Sequence, residues 1–99
     1  MNKLESAYAQ VLEFRKRAGE VLWYAYESMN LRLADKTFWK PDFLVLMADG
    51  SLEIHECKGH FEDHARVRVK VAAELYPFKI LVIRAVPKKD GGGFSEELI

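Results

Sequence analysis

Three side chains in the middle of this chain have the types and spacing to hydrolyse a phosphodiester. They are Asp42, which follows Pro41, and Glu56 and Lys58, which flank Cys57. A phosphodiester carries its own negative charge and repels a nucleophile. Its hydrolysis calls for a cation on the scissile phosphate and a water held in line behind it. Asp42 and Glu56 are hard oxygen donors suited to Mg²⁺, which takes one or two carboxylates and several waters rather than a closed protein cage. A lysine beside the attacking water can orient it, stabilise the developing hydroxide, or act as base where burial and a nearby metal lower its pKa.

These residues need an element that brings them together, and the local pattern supplies one. Residues 51–58 read as a strand, in which side chains two apart share a face. Leu52, Ile54, Glu56 and Lys58 line one side, so an apolar face ends in a carboxylate and an amine, as in a strand that leaves the core and enters a cleft. Glu53, His55 and Cys57 take the other side. Asp49-Gly50 is a hairpin turn signal, so the strand that begins at Phe43 returns as this one and brings Asp42 near Glu56 and Lys58. Pro41 and Gly59 mark the two ends of the hairpin. Taken singly, a Pro-Asp pair is common in turns and a Glu-x-Lys face can be a solvated ion pair. The hairpin context is what joins them into one constellation.

The flanking segments complete an α/β order. Residues 2–17 place Leu4, Ala7, Tyr8, Val11, Leu12 and Phe14 at near-helical spacing, with Gly19 ending the helix. Residues 21–33 suggest one long or broken strand, followed by a turn at Ala34-Asp35-Lys36 and a further strand over 37–47. Residues 63–76 alternate at Val67, Val69 and Val71 as a strand would. Their length and the following Pro77 decide for a helix, with Asp63 as N-cap. Its wet face is Arg66, Lys70 and Glu74, and Arg68 falls inside the apolar arc, from which it can snorkel. Ile80 to Ile83 form a continuous apolar run typical of a buried parallel strand, so strand, crossover helix and strand make a βαβ unit. The expected fold is a single domain over 1–99. It has an N-terminal helix, a three-stranded antiparallel meander, a crossover helix and a further strand, together forming a mixed sheet. The core lies at about 2–84, and 85–99, with the Gly91-Gly92-Gly93 run, is a flexible tail.

Composition excludes several classes. The 99 residues are about half apolar, enough for one modest core. One cysteine and three histidines leave no disulfide framework and no cysteine-rich zinc site, which points to a reducing, cytoplasmic setting. No apolar run approaches a membrane span and no signal-peptide region is seen. Net charge is zero, so basicity gives no general sign of nucleic-acid binding. Residues 58–89 nevertheless hold eight Lys or Arg against Glu62, Asp63 and Glu74, where phosphate contacts can concentrate or a helix face can simply be solvated.

With Pro41-Asp42 and Glu56-Cys57-Lys58 set on a hairpin between two helices, the chain resembles the PD-(D/E)xK nuclease superfamily. Within it the chain is most similar to the phage endonuclease I group of Holliday junction resolvases. The likeness runs over about residues 2–84. Its most specific stretch is Lys58-Gly59 through Phe61-Glu62, Arg66, Arg68, Glu74 and Pro77. The resemblance implies a restriction-endonuclease-like fold and a Mg²⁺-dependent endodeoxyribonuclease, with Mn²⁺ able to substitute, that cuts branched DNA. Its setting would be the host cytoplasm if phage-encoded. It further implies that Asp42 and Glu56 bind the metal with help from the Cys57 backbone carbonyl, and that Lys58 serves the attacking water. Glu5, in Asn2-Lys3-Leu4-Glu5, would be a further metal or water ligand, whereas the residues alone make it an ordinary first-turn glutamate. Arg66, Arg68 and Lys70 would contact DNA phosphates. Paired cuts across a four-way junction imply a homodimer, and the aromatic strand from Trp23 to Tyr26 is either a contact surface for it or simply core. The chain is shorter than that group and begins almost at the catalytic helix, without a preceding segment to exchange between subunits.

Other readings have less behind them. A nuclease of the same superfamily acting on flaps, ends or duplex sites fits the same residues, as does a catalytically silent DNA-binding or assembly module. His60 and His64 stand four apart but lack a third and fourth zinc ligand. Cys57 reads as a small packing residue rather than a nucleophile. Glu53 and Glu27 are further carboxylates whose strand faces argue against a place in the site.

Overall fold

In a computed structural model, the structure describes residues 1–59 and 63–99, with the side chains of Asp63 and His64 also left aside. The expected Asp63 cap, the His60 and His64 pair and the Phe61-Glu62 stretch lie outside the described residues.

The first helix, α1 (Lys3–Arg17), begins with a capping box. The Asn2 side chain accepts from the Glu5 N–H at 2.8 Å, and the Glu5 carboxylate accepts from the Asn2 N–H at 2.8 Å. Arg15, Lys16 and Arg17 in its last turn complement the helix dipole, and Gly19 follows at φ +84°. Tyr8 and Leu12 are buried, while Leu4, Glu5, Ala9 and Arg15 are half-buried beside them. Ala7 and Phe14, expected on the apolar face, point outward. The helix therefore turns Glu5 toward the sheet, one turn before Tyr8.

Five strands form the mixed sheet: β1 (Val21–Tyr26), β4 (Phe43–Met47), β5 (Leu52–Cys57), β6 (Lys79–Ala85) and β7 (Phe94–Leu98), in spatial order β1-β4-β5-β6-β7. The meander β1-β4-β5 is antiparallel, β6 lies parallel to β5, and β7 runs antiparallel to β6. Between β1 and β4 the chain makes a separate two-stranded ribbon, β2 (Leu31–Ala34) with β3 (Thr37–Trp39). Residues 21–33, expected as one long or broken strand, are broken, and the single strand expected over 37–47 is divided as well. Glu27 takes φ +47° at the first break, and Pro41 occupies the second. Lys36, at φ +55°, turns the ribbon. The main hairpin turns at Gly50, φ +89°.

The second helix is α2 (Asp63–Leu75). Val69 and Ala72 are buried and Arg66 borders them, whereas Val67 and Arg68 are exposed. The buried arc is therefore narrower than the valine count suggests, and Arg68 lies outside it. A short 3₁₀ helix, Lys88–Asp90, precedes β7. Residues 94–98 are a paired edge strand in place of the expected flexible tail, because Phe94 packs on Tyr8 and Leu81 to Ala85 supply a full ladder.

Strand alternation divides the core in two. On one face of the sheet α1 covers Phe43, Val45, Cys57, Leu81 and Ile83. On the other, α2 and the ribbon cover Ile54 and Ile80, with Leu31, Trp39, Val69 and Ala72. Strands β5 and β6 are covered on both sides, hence their apolar runs. Among the described residues no helix is long and apolar enough to cross a membrane.

Candidate functional site

Pro41 ends the ribbon and delivers Asp42 to the start of β4. The β4–β5 ladder opens with Phe43 opposite His55, so one step further places Asp42 opposite Glu56. Two hydrogen bonds lock that step. The Asp42 N–H donates to Glu56 Oε1 at 2.8 Å, and the Cys57 N–H donates to Asp42 Oδ2 at 2.9 Å. Lys58 Nζ stands 3.3 Å from Glu56 Oε2, with the lysine side chain partly exposed and the glutamate buried. Glu5 arrives from α1 close enough for its charge to act on Asp42, and the Tyr26 hydroxyl donates to Glu5 Oε1 at 3.0 Å. The start of β4 and the end of β5, two interior strands, thus bring together Glu5, Asp42, Glu56 and Lys58, all four expected from sequence.

Burial and the neighbouring carboxylates set the electrostatics. Burial first, and then the charge of Glu56, push the Asp42 carboxyl up to about 7, against the pull of the Cys57 N–H. Glu5 goes the other way. Burial raises it, but the Asn2 N–H, the Tyr26 hydroxyl and Asp42 outweigh burial and hold it below the usual carboxylate range. Burial and the charges of Asp42, Glu5 and Glu56 push the Cys57 thiol up to about 12, which removes it as a nucleophile and leaves it as core.

Two further residues complete the site without a sequence signal of their own. The buried Trp39, from the ribbon, donates its indole N–H to Glu56 Oε2 at 3.4 Å. Tyr26 closes β1 over Glu5. Glu27, not expected in the site, is exposed at its positive φ and donates its backbone N–H to the Asp42 carbonyl at 2.8 Å.

Glu53 and His55 form a separate network on the α1 face. Tyr8 Oη is 2.6 Å from His55 Nδ1, and His55 Nε2 is 2.9 Å from Glu53 Oε1. Burial pushes the His55 pKa down despite Glu53. Arg66 binds Glu97 of β7 through both terminal nitrogens at 3.0 and 3.4 Å, and Arg84 stands 3.5 Å from the same carboxylate. Glu97 lies in register with Val82, and Val82 with Glu56. Arg66 is therefore held two strands from Glu56, roughly 10 Å away at normal strand spacing. Arg68 and Lys70 are exposed on α2.

Among the described residues no three His, Cys, Asp or Glu side chains converge as a ready-made cation cage. Glu56 directs its oxygens at Asp42 N–H, Trp39 and Lys58. The donor chemistry nevertheless fits a hard divalent cation, because Asp42 and Glu56 are both carboxylate-oxygen donors locked side by side. No family model, no curated protein and no solved structure matches the chain.

Proposed function

We propose that this protein is a metal-dependent endodeoxyribonuclease of PD-(D/E)xK type, with a restriction-endonuclease-like domain and branched DNA, such as a four-way junction, as its substrate. The observation that carries the reading is the lock between Asp42 and Glu56–Cys57. It sets two carboxylates and Lys58 where β4 begins and β5 ends, beside Glu5.

In this reading Asp42 and Glu56, with the Cys57 backbone carbonyl and Glu5, would hold Mg²⁺, or Mn²⁺ in its place. Such an ion supplies positive charge to a scissile phosphate and acidifies a bound water. Lys58 has three N–H donors, and its ion pair with Glu56 leaves others for the attacking water or a phosphate oxygen. Asp42 must lose its proton before it can serve as a ligand. The burial of Glu56 and Asp42 keeps bulk water from screening these charges. Paired strand cuts would need a homodimer.

A second reading, a silent DNA-binding module, draws on one observation: Glu56 already has partners for both oxygens, as a structural carboxylate would. Labelled junction, flap and linear duplex DNA incubated with wild-type protein and Glu56→Ala, in Mg²⁺, Mn²⁺ or EDTA, separates the readings. Metal-dependent junction cutting that the variant loses supports the resolvase. Cutting confined to flaps or duplex changes the substrate, and binding without cutting in either metal leaves the silent module.

A further inference from the structure

The β2–β3 ribbon stands apart from the main sheet, and its two faces differ sharply in chemistry. Leu31 and Trp39 point inward, buried against α2 and the sheet, and the Tyr76 hydroxyl pins the ribbon by donating to the Arg32 carbonyl at 2.6 Å. The outward face carries Arg32 directly across from Phe38. Phe38 is 49% exposed, its ring on the face of the ribbon opposite buried Trp39. Lys36 at the turn and Lys40 beyond β3 are exposed as well, against a single acidic residue, Asp35. Asp35 reaches Arg32 only in a solvent-exposed pair at 3.7 Å, which water and salt weaken.

The ribbon is tied to the candidate site. Trp39, next to Phe38, bonds Glu56, and Lys40 is two residues from Asp42. Two residues span at most about 7 Å, so a nucleic acid whose backbone reached Asp42 would lie across the ribbon's root. An exposed aromatic ring flanked by cations fits an unstacked base between phosphates. Base faces stack on aromatic side chains in a sequence-tolerant way, and Lys or Arg neutralise the adjoining backbone.

We infer that the outward face of the β2–β3 ribbon is a DNA-branch reader, in which Phe38 stacks on a base exposed at the branch and Arg32, Lys36 and Lys40 contact the flanking phosphates. The inference rests on the nuclease reading for its substrate, but it concerns binding and not cleavage. Intact duplex offers no unstacked base to Phe38, so the ribbon separates branched from linear DNA.

The test is binding of fluorescently labelled four-way junction, flap and linear duplex of matched sequence to the whole chain, in Ca²⁺ and in EDTA, with 2-aminopurine at the branch as a second probe. Phe38→Ala should weaken junction and flap binding about tenfold and leave linear duplex binding unchanged. Phe38→Trp should restore it, and wild-type protein should change the 2-aminopurine emission where Phe38→Ala does not. Arg32→Gln with Lys40→Gln should make binding less sensitive to salt, the logarithmic slope falling by about one for each phosphate that is no longer neutralised. Phe38 is exposed, so folding should be unaffected, and circular dichroism checks this. Equal binding of all three DNAs by wild-type and Phe38→Ala, an equal loss on all three, or no DNA binding by the wild-type protein would overturn the inference. Branch-selective binding lost in Phe38→Ala, without any cutting in Mg²⁺ or Mn²⁺, would sink the nuclease reading and leave the ribbon's role standing. Cutting with no Phe38 effect would do the reverse.

Discussion

The Tyr8 hydroxyl and His55 Nδ1 meet at 2.6 Å inside the core, joining the helix that carries Glu5 to the strand that carries Glu56. The Glu53 carboxylate accepts from His55 Nε2, so a neutral ring offers its Nδ1 lone pair to the Tyr8 O–H. Tyr8 stays protonated because burial, and then the charge of Glu96, raise its pKa. Every described buried side-chain polar atom finds a partner, and here the partners also set the position of α1 on the sheet.

Tyr8→Phe removes only the hydroxyl and leaves His55 Nδ1 buried without a donor. It should destabilise the protein by about 1–3 kcal/mol, read as a lower urea midpoint with an unchanged slope. A variant as stable as wild type would mean that water or another donor satisfies His55.

Asp42 should make the cation-free protein less stable as pH rises. Its folded pKa, about 7, lies above the reference 3.8. Between those values the folded state holds a proton that the unfolded state has released, so stability falls with rising pH through this window and the loss is complete above it. Asp42→Asn keeps an oxygen for the Cys57 N–H and removes the charge. In EDTA it should gain roughly 1–3 kcal/mol over wild type at pH 8, and the gain should shrink toward pH 4. Mg²⁺ should narrow the difference by stabilising wild type alone. A constant difference across pH would show that Asp42 does not titrate in this range.

On the nuclease proposal, Lys58→Ala should lower DNA cleavage by about 10²-fold or more while binding persists. Single-turnover cutting of a labelled junction in Mg²⁺ measures the rate, and electrophoretic shift in Ca²⁺ measures the binding. Retained cutting would remove Lys58 from the chemistry.

Trp39→Phe keeps an aromatic ring inside the core but withdraws the N–H from Glu56. Stability should change by about 1 kcal/mol or less, with cleavage falling severalfold as Glu56 loses one of the groups that orient it. Because Trp39 is buried and Trp23 is 43% exposed, emission of the Trp23→Phe protein reports Trp39 alone. Mg²⁺ titration should shift that emission, and a flat response would argue against a cation at Glu56.

Local patterns in the chain were enough to set the β4–β5 hairpin, the parallel β6 and both helices. Asp49-Gly50 demands a turn, Ile80 to Ile83 demand a strand buried on both sides, and period-2 spacing carries Glu56 and Lys58 together. The same hairpin arithmetic brought Asp42 near Glu56 and Lys58, because antiparallel pairing follows from the turn, and the folded register sets Phe43 against His55. What the chain could not declare depends on contacts distant in sequence. The β1–β2 break sits at a non-glycine residue, Glu27, whose positive φ has no compositional mark. Strand β7 is held by Phe94 on Tyr8 and by Glu97 between Arg66 and Arg84, so its glycine-rich approach reads locally as a tail. Trp39 reaches Glu56 from a ribbon seventeen residues upstream, and Tyr26 reaches Glu5 across twenty-one. The raised pKa of Asp42 comes first from its burial and then from the charges of Glu56 and Glu5 beside it. Charge crowding of that kind is a property of distance and solvent exclusion, and only the folded chain sets either.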